Sequence, residues 1–308
     1  MREHGGPEVL AIEDVERPAP GPGEVLIEMR AAGLNPVDTQ VRAGAWVTEE
    51  MGGPPMILGW DVAGPVVDAG EGVRSFVPGD RAFGMPSFPG LARSDAEYVI
   101  APEARIAKAP RVLTDEQAGA LPLAGLTAWQ ALEEARVGDG DRVLVQAAAG
   151  GVGHLAAQIA RVRGAHVIGT ARPDKHDFLR EVGVDEPVDY TAGPLDRMLS
   201  DLDVVIESVS GDDEGLLSSL ATLRPGGRLV VIAGDLSDNV RSEAQREGKL
   251  VREMLVSPDG AALELLATLA DEGRLTVHVE AAFPLPQAAD AHRRQESGRV
   301  TGKLVLVP

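Results

Sequence analysis

Residues 142–163 read RVLVQAAAGGVGHLAAQIARVR. Arg142 to Ala147 has the pattern of a buried strand, with Val143, Leu144 and Val145 in succession. From His154 to Arg163 the spacing predicts a helix, because Leu155, Ile159 and Val162 share one face and Gly164 closes it. Between them lies AAAGGVG, residues 147–153. Ala147, Gly150 and Gly153 fall on the three small-residue positions of a dinucleotide-binding turn, with Ala147 a tolerated variant of the first glycine. The first position permits a tight turn, the second lets backbone N–H groups approach a pyrophosphate, and the third lets the helix pack closely on the strand. The helix N-terminus adds unpaired N–H groups and a favourable dipole. A glycine cluster alone is equally a structural turn. The strand before it and the amphipathic helix after it favour the dinucleotide. Ala149, Gly150, Gly151, Val152 and Gly153 are then the residues that hold the phosphates.

Further along, strands and helices alternate. His166 to Thr170 is a strand, Lys175 to Val182 a helix ending at Gly183, and Val188–Tyr190, Val204–Glu207, Arg228–Ala233 and Lys249–Leu255 read as further strands. Such alternation implies an α/β fold with a doubly wound parallel sheet, here over residues 114–270. The second strand ends 17 residues past Gly153, near the place where an acid grips the ribose of NAD. No acid stands there. Thr170, Arg172 and Lys175 supply a hydroxyl and two cations, a set suited to the 2′-phosphate of NADPH. The alternative is that Arg172 and Lys175 are solvated charges with Asp174 as partner.

Residues 1–113 look different. Short strand patterns (Glu24–Met29, Val62–Val67, Ala96–Ile100) are broken by turn signals such as Pro20-Gly21-Pro22-Gly23 and Pro78-Gly79-Asp80. A helix (Gln287–Gln295) and a strand (Lys303–Val307) follow the α/β stretch, so residues 271–308 are expected to return to this irregular β domain. The chain has 308 residues and no cysteine, which excludes disulfides, Cys-ligated metal and a thiol nucleophile. Lys and Arg number 29 against 48 Asp and Glu, and there is no basic run, so nucleic acid and anionic membrane are not expected partners. No apolar run has the length of a membrane span and the first ten residues lack a secretory pattern, so a cytoplasmic location is the expectation.

Several motifs occur together: GGPEVL (5–10), NPVDT (35–39), GWDVAG (59–64), GDRA (79–82), GLTAW (125–129), AAAGGVG (147–153), RPGGR (224–228) and GKLVL (302–306). With these in order, nearly the whole chain resembles the zinc-independent medium-chain dehydrogenase/reductases, in the quinone oxidoreductase (zeta-crystallin-like) branch. The resemblance implies a GroES-like β domain beside a Rossmann domain, with the active site in the cleft between them and a homodimer joined through Rossmann sheet edges near Arg228–Ala233. Zinc-dependent relatives place Cys at the position of Asn35 and His at that of Trp60, and neither residue here suits zinc. The six histidines (His4, His154, His166, His176, His278, His292) form no spaced ligand set.

Without metal, the remaining chemistry is hydride transfer from NADPH to an acceptor already activated by conjugation. The resemblance implies that Asn35 and Thr127 contact the nicotinamide, that Tyr190 and Lys175 hold the adenosine phosphate, that backbone at Ala233 and Gly234 binds the carboxamide, and that Lys303 lies near the cofactor. The alternatives are a helix cap for Thr127 and strand-end packing for Tyr190. Relatives carry Tyr at the position of Gln40 and, in some, of Trp46. Gln40 can hydrogen-bond a substrate carbonyl but cannot act as an acid. Gln40, Trp46, Trp60 and Met85, with Phe83 and Phe88, either line an aromatic-binding pocket or form ordinary core. The resulting expectation is a quinone reductase. An ene reductase and a low-turnover NADPH-binding structural or regulatory protein are the alternatives. Relatives also carry a strand before GGPEVL, where only Met1 to His4 stand here.

Overall fold

The computed structural model describes residues 1–308 apart from Ser210, Gly211, Ala233 and the side chain of Glu50. In the β unit, β1 (Glu24–Glu28) has Val25, Leu26 and Ile27 buried together, as befits a strand with neighbours on both sides. It is followed by β2 (Ala32–Leu34), α1 (Pro36–Ala43), β3 (Val62–Ala69), β4 (Arg81–Gly84), β5 (Tyr98–Pro102) and β6 (Ile106–Lys108). All of these strands but β2 form a five-stranded antiparallel sheet in the order β5-β1-β3-β4-β6, with a bulge at Leu26/Ile27. Pro36 starts α1, where a missing N–H costs nothing, and Gly44 stops it in the left-handed region.

Next come α2 (Asp115–Ala120) and α3 (Pro122–Glu134), then β7 (Arg142–Val145), α4 (Gly153–Val162), β8 (His166–Ala171), α5 (His176–Glu181), β9 (Glu186–Asp189), β10 (Leu202–Glu207), α6 (Asp213–Ala221), β11 (Leu223–Val231), α7 (Asp238–Arg246) and β12 (Leu250–Glu253). Strands β7 to β12 form one parallel sheet in the order β12-β11-β10-β7-β8-β9. The order reverses between β7 and β10, the switch point at which doubly wound sheets bind ligands. Leu144, Val205, Leu229 and Leu220 are among the residues of its core. The chain then adds α8 (Gly260–Asp271), β13 (Val279–Pro284), α9 (Ala288–Glu296) and β14 (Lys303–Val307). β14 pairs with β13 and with β2, so the C-terminal strand does return to the β unit.

The two compact units are Met1–Leu126 with Val256–Pro308, and Thr127–Leu255. The boundaries expected at 113/114 and 270/271 therefore move. α2 packs on β2 and β3, and α8 on β6, so both helices belong with the β unit. Strand β11 lies inside the parallel sheet, so the edge expected near Arg228–Ala233 is occupied by β12 instead. No helix among the described residues is long and apolar enough to cross a membrane.

Candidate functional site

The turn after β7 is the first part of the site. Ala147 has φ +46°, a left-handed conformation for a residue with a side chain. Its N–H donates to Thr170 Oγ1 at 3.0 Å, and the Ala148 N–H donates to Thr170 O at 2.9 Å. Thr170 is buried, so its hydroxyl holds the turn. A Cβ at Gly153 would stand 2.3 Å from Ala147 O and 2.7 Å from Ala148 Cα, which is the close strand-to-helix contact that the third small residue permits. Beyond it, α4 runs for 10 residues, and the His154 N–H donates to Gly150 O (3.1 Å) while the Leu155 and Ala156 N–H groups donate to Val152 O (3.2 and 2.9 Å). Ala149, Gly150, Gly151, Val152 and Gly153 thus fit a pyrophosphate cradle.

At the far ends of β8 and β9, Ala171 pairs with Asp189, which puts the next residues side by side. Arg172 Nε donates to Tyr190 Oη at 3.2 Å. Both side chains are exposed, and half-buried Lys175 sits in the following turn. Thr127 is buried within α3, well inside the helix, so it caps neither end. Gly234 is exposed with φ +97°, and Ala233 lies outside the described residues.

Sequence reading missed a buried network at the switch point. Glu207, at the end of β10, accepts from Ser219 Oγ (2.7 Å), from the Val209 N–H (2.8 Å) and from Gln146 Nε2, which follows β7. Gln146 Nε2 is also 2.6 Å from Ser219 Oγ, and Ser208 Oγ donates to Gln146 O at 3.0 Å. The acid closing the apolar run Val204-Val205-Ile206 was the available signal.

The β unit holds a second buried polar group. Asn35 precedes α1, and its Nδ2 donates to Gly33 O (3.1 Å) and Asp61 Oδ2 (2.9 Å). Its Oδ1 accepts from Lys303 Nζ, which also donates to Leu34 O at 2.8 Å. Both amide hydrogens of Asn35 are therefore in use. Asp61 Oδ1 accepts the Leu123 N–H at 2.6 Å, and Asp38 Oδ2 accepts the Asn35 N–H at 2.7 Å. Burial pushes Asp61 up to about 6, against the opposing pull of Lys303. Burial and the neighbouring Asp95 carboxyl raise Asp38 well above the usual carboxylate range, and burial lowers Lys303.

Of the aromatic residues, Trp46 and Phe88 are half-buried and stacked, with centroids 5.6 Å apart. Trp60 meets the Phe88 ring edge-on at 5.9 Å and donates Nε1–H to Gly90 O at 3.0 Å. Trp60, Phe83 and Met85 have no exposed surface, so they are core residues. Gln40 is exposed on α1.

These residues do not fit zinc. The Asn35 amide is committed to Asp61, Gly33 and Lys303, and the Lys303 ammonium stands 3.8 Å from Asp61 Oδ2, so a cation already fills that neighbourhood. Among the described residues no group of three or more His, Cys, Asp or Glu could hold a metal ion.

Residues 21–111 match the alcohol dehydrogenase GroES-like domain family and residues 182–306 the zinc-binding dehydrogenase family. The quinone oxidoreductase of Mus musculus is 33% identical, over 99% of this chain and 96% of its own. The mitochondrial NAD(P)H oxidoreductase RTN4IP1 of Danio rerio is 29% identical, over 92% of this chain and 84% of its own. The solved quinone oxidoreductase from Coxiella burnetii superposes with a TM-score of 0.92 at 33% identity, covering 100% of this chain and 97% of its own. Mycobacterial Rv1454c complexed with NADPH gives a TM-score of 0.87 at 30% identity, covering 99% of this chain and 98% of its own. The chain is an oxidoreductase of the NAD(P)H type and belongs to the zinc-independent quinone oxidoreductase branch of the medium-chain dehydrogenase/reductase superfamily.

Proposed function

We propose that this oxidoreductase takes NADPH as reductant and reduces a quinone without a metal. The observation that carries the cofactor choice is the end of β8, where the run Thr170-Ala171-Arg172 holds no acid and Arg172 is hydrogen-bonded to Tyr190, with Asp174 and Lys175 in the next turn. An acid there would repel a 2′-phosphate, whereas a guanidinium pairs with it bidentately. The NADPH in the mycobacterial neighbour supports the same choice. Bound in reduced form, nicotinamide supplies a hydride.

The protein's part is to bind, orient and exclude water. Ala149 to Gly153 hold the pyrophosphate, and Arg172, Lys175 and Tyr190 the adenosine phosphate. Thr127 and backbone at Gly234 are the nicotinamide contacts that the resemblance implies in the nucleotide unit, and Asn35, held by Lys303, is the one it implies in the β unit. The Trp46–Phe88 pair offers a flat apolar face to a planar acceptor, and Gln40 hydrogen-bonds its carbonyl. A homodimer is proposed through β12, an edge strand on which Leu250 is 53% exposed.

The test is NADPH oxidation against a panel of quinones and enones, with product analysis. A hydroquinone is the expected product. A saturated carbonyl would make the protein an ene reductase, and no turnover with any acceptor would leave it a nucleotide-binding protein.

A further inference from the structure

Between β7 and β10 the parallel sheet opens into its crevice. The two strands pair in register at Val143–Val204, Leu144–Val205 and Val145–Ile206, and the Gln146 N–H still reaches Ile206 O at 3.1 Å. Gln146 and Glu207 come next, one on each strand end. Beyond them the ladder stops, and the chain runs into the AAAGGVG turn on one side and into Ser208-Val209 on the other. The strand order reverses at this point of the sheet.

Side chains carry the link on where the backbone leaves it. Gln146 Nε2 donates to Glu207 Oε2, and the Val209 N–H donates to Glu207 Oε1 at 2.8 Å. From α6, Ser219 Oγ donates to Glu207 Oε2 at 2.7 Å. Ser208 Oγ donates to Gln146 O at 3.0 Å, a bridge in the opposite direction. Glu207 has no exposed surface, and Gln146 and Ser219 are buried with it. On the other flank the Ala147 N–H donates to Thr170 Oγ1 at 3.0 Å, at the end of β8. The turn is therefore pinned from both neighbouring strands, and Gln146 is the residue directly before it.

Stability alone does not require this arrangement. The donors to Glu207 just named are neutral, and apolar groups of the same shape in their place would be nearly neutral for stability. A buried hydrogen-bond network adds direction, because once satisfied it holds a single geometry. The geometry held here is the spacing between the turn and the loop after β10. A pyrophosphate is bound by backbone N–H groups of such a turn, and a turn held in place beforehand binds it without the entropy cost of ordering.

We propose that Glu207 is a positioning residue for the nucleotide, an assignment that rests on the reading of the AAAGGVG turn as the pyrophosphate site. Through Gln146 it holds the turn, and through the Val209 N–H it holds the loop after β10. Being fully buried, it acts through these neighbours.

The test is calorimetric titration of NADPH and NADH into the wild type, Glu207→Gln, Leu216→Ala and the double exchange of Glu207→Gln with Gln146→Glu. An amide has one acceptor oxygen where the carboxylate has two, so Glu207→Gln cannot serve the Val209 N–H and Gln146 together. It is expected to bind both nucleotides about tenfold more weakly, with their ratio unchanged, because the pyrophosphate is common to both. Its kcat at saturating nucleotide stays within about twofold of wild type, since the lost contact serves binding alone. The double exchange restores a carboxylate facing an amide across the two strand ends, and recovers affinity to within about threefold. Leu216, on the same helix as Ser219, belongs to the core of the sheet, so Leu216→Ala lowers the melting temperature without weakening either nucleotide. Wild-type affinity in Glu207→Gln, an equal loss of affinity in Leu216→Ala, or a double exchange that binds no more tightly than the single variant overturns the assignment. Should Glu207→Gln not fold, the double exchange decides: recovered affinity supports the assignment, and weak binding by a folded double exchange overturns it. If the wild type binds neither nucleotide, the reading of the turn falls and takes this one with it.

Discussion

The Thr170 hydroxyl accepts the N–H of Ala147 at 3.0 Å, tying the end of the second strand of the parallel sheet to the turn that follows the first. Ala147 is held in a left-handed conformation that costs an L-residue roughly 1–2 kcal/mol. Thr170→Val leaves the Ala147 N–H without this buried acceptor. It is expected to cost about 1–3 kcal/mol in urea denaturation and to weaken nucleotide binding. Ala147→Gly removes the strain but adds unfolded-state entropy, so its stability should stay within about 1 kcal/mol of wild type. An unaltered Thr170→Val would show that the turn is held by other contacts.

The buried carboxyls predict an unusual pH dependence. Asp61 is raised from 3.8 to about 6 and Asp95 to about 7, and burial raises Asp38 in the same direction. The folded chain therefore holds protons that the unfolded chain has released. This contribution to stability is complete below about pH 4 and is lost as pH rises through 6 and 7. Asp38→Asn keeps the shape and removes the charge. Because burial raises the Asp38 carboxyl, the variant should gain more in melting temperature at about pH 8 than at about pH 5. Equal shifts at both pH values would contradict this.

His292 works in the opposite direction. It is fully buried on α9, neither ring nitrogen has a partner, and burial together with the nearby Arg42 charge lowers it from 6.5 to about 4. Between pH 6.5 and 4 the unfolded chain binds a proton that the folded chain refuses, so stability is lost on acidification. The shift corresponds to about 3 kcal/mol at the acid end. His292→Leu should flatten the fall of the urea midpoint over this range. An unchanged slope would assign acid sensitivity to other groups.

The strand, AAAGGVG turn and helix were legible because each of the three small positions answers a local steric demand. At Gly153 the demand is visible as a contact that no Cβ tolerates. The returning strand at Lys303–Val307 was legible too, from an apolar run isolated after the α/β stretch. The unit boundaries were not, because the apolar faces of α2 and α8 do not say which sheet they cover. Nor was the polar group around Asn35. Asp38, Asp61, Asp95 and Lys303 are far apart in sequence and meet only through strand pairing and the loop along Gly59. Trp60 and Met85 read equally as pocket lining or as core, since both need large apolar side chains, and their complete burial makes them core.

The most direct measurement of the central claim is a calorimetric titration of the metal-free protein with NADPH and with NADH, repeated on Arg172→Ala. The account predicts tighter binding of NADPH than of NADH by about tenfold or more, and loss of most of that preference in the variant, since a charge-assisted contact is worth about 1.5–3 kcal/mol. Equal affinity for the two nucleotides in the wild type, or a preference that survives Arg172→Ala unchanged, would contradict it.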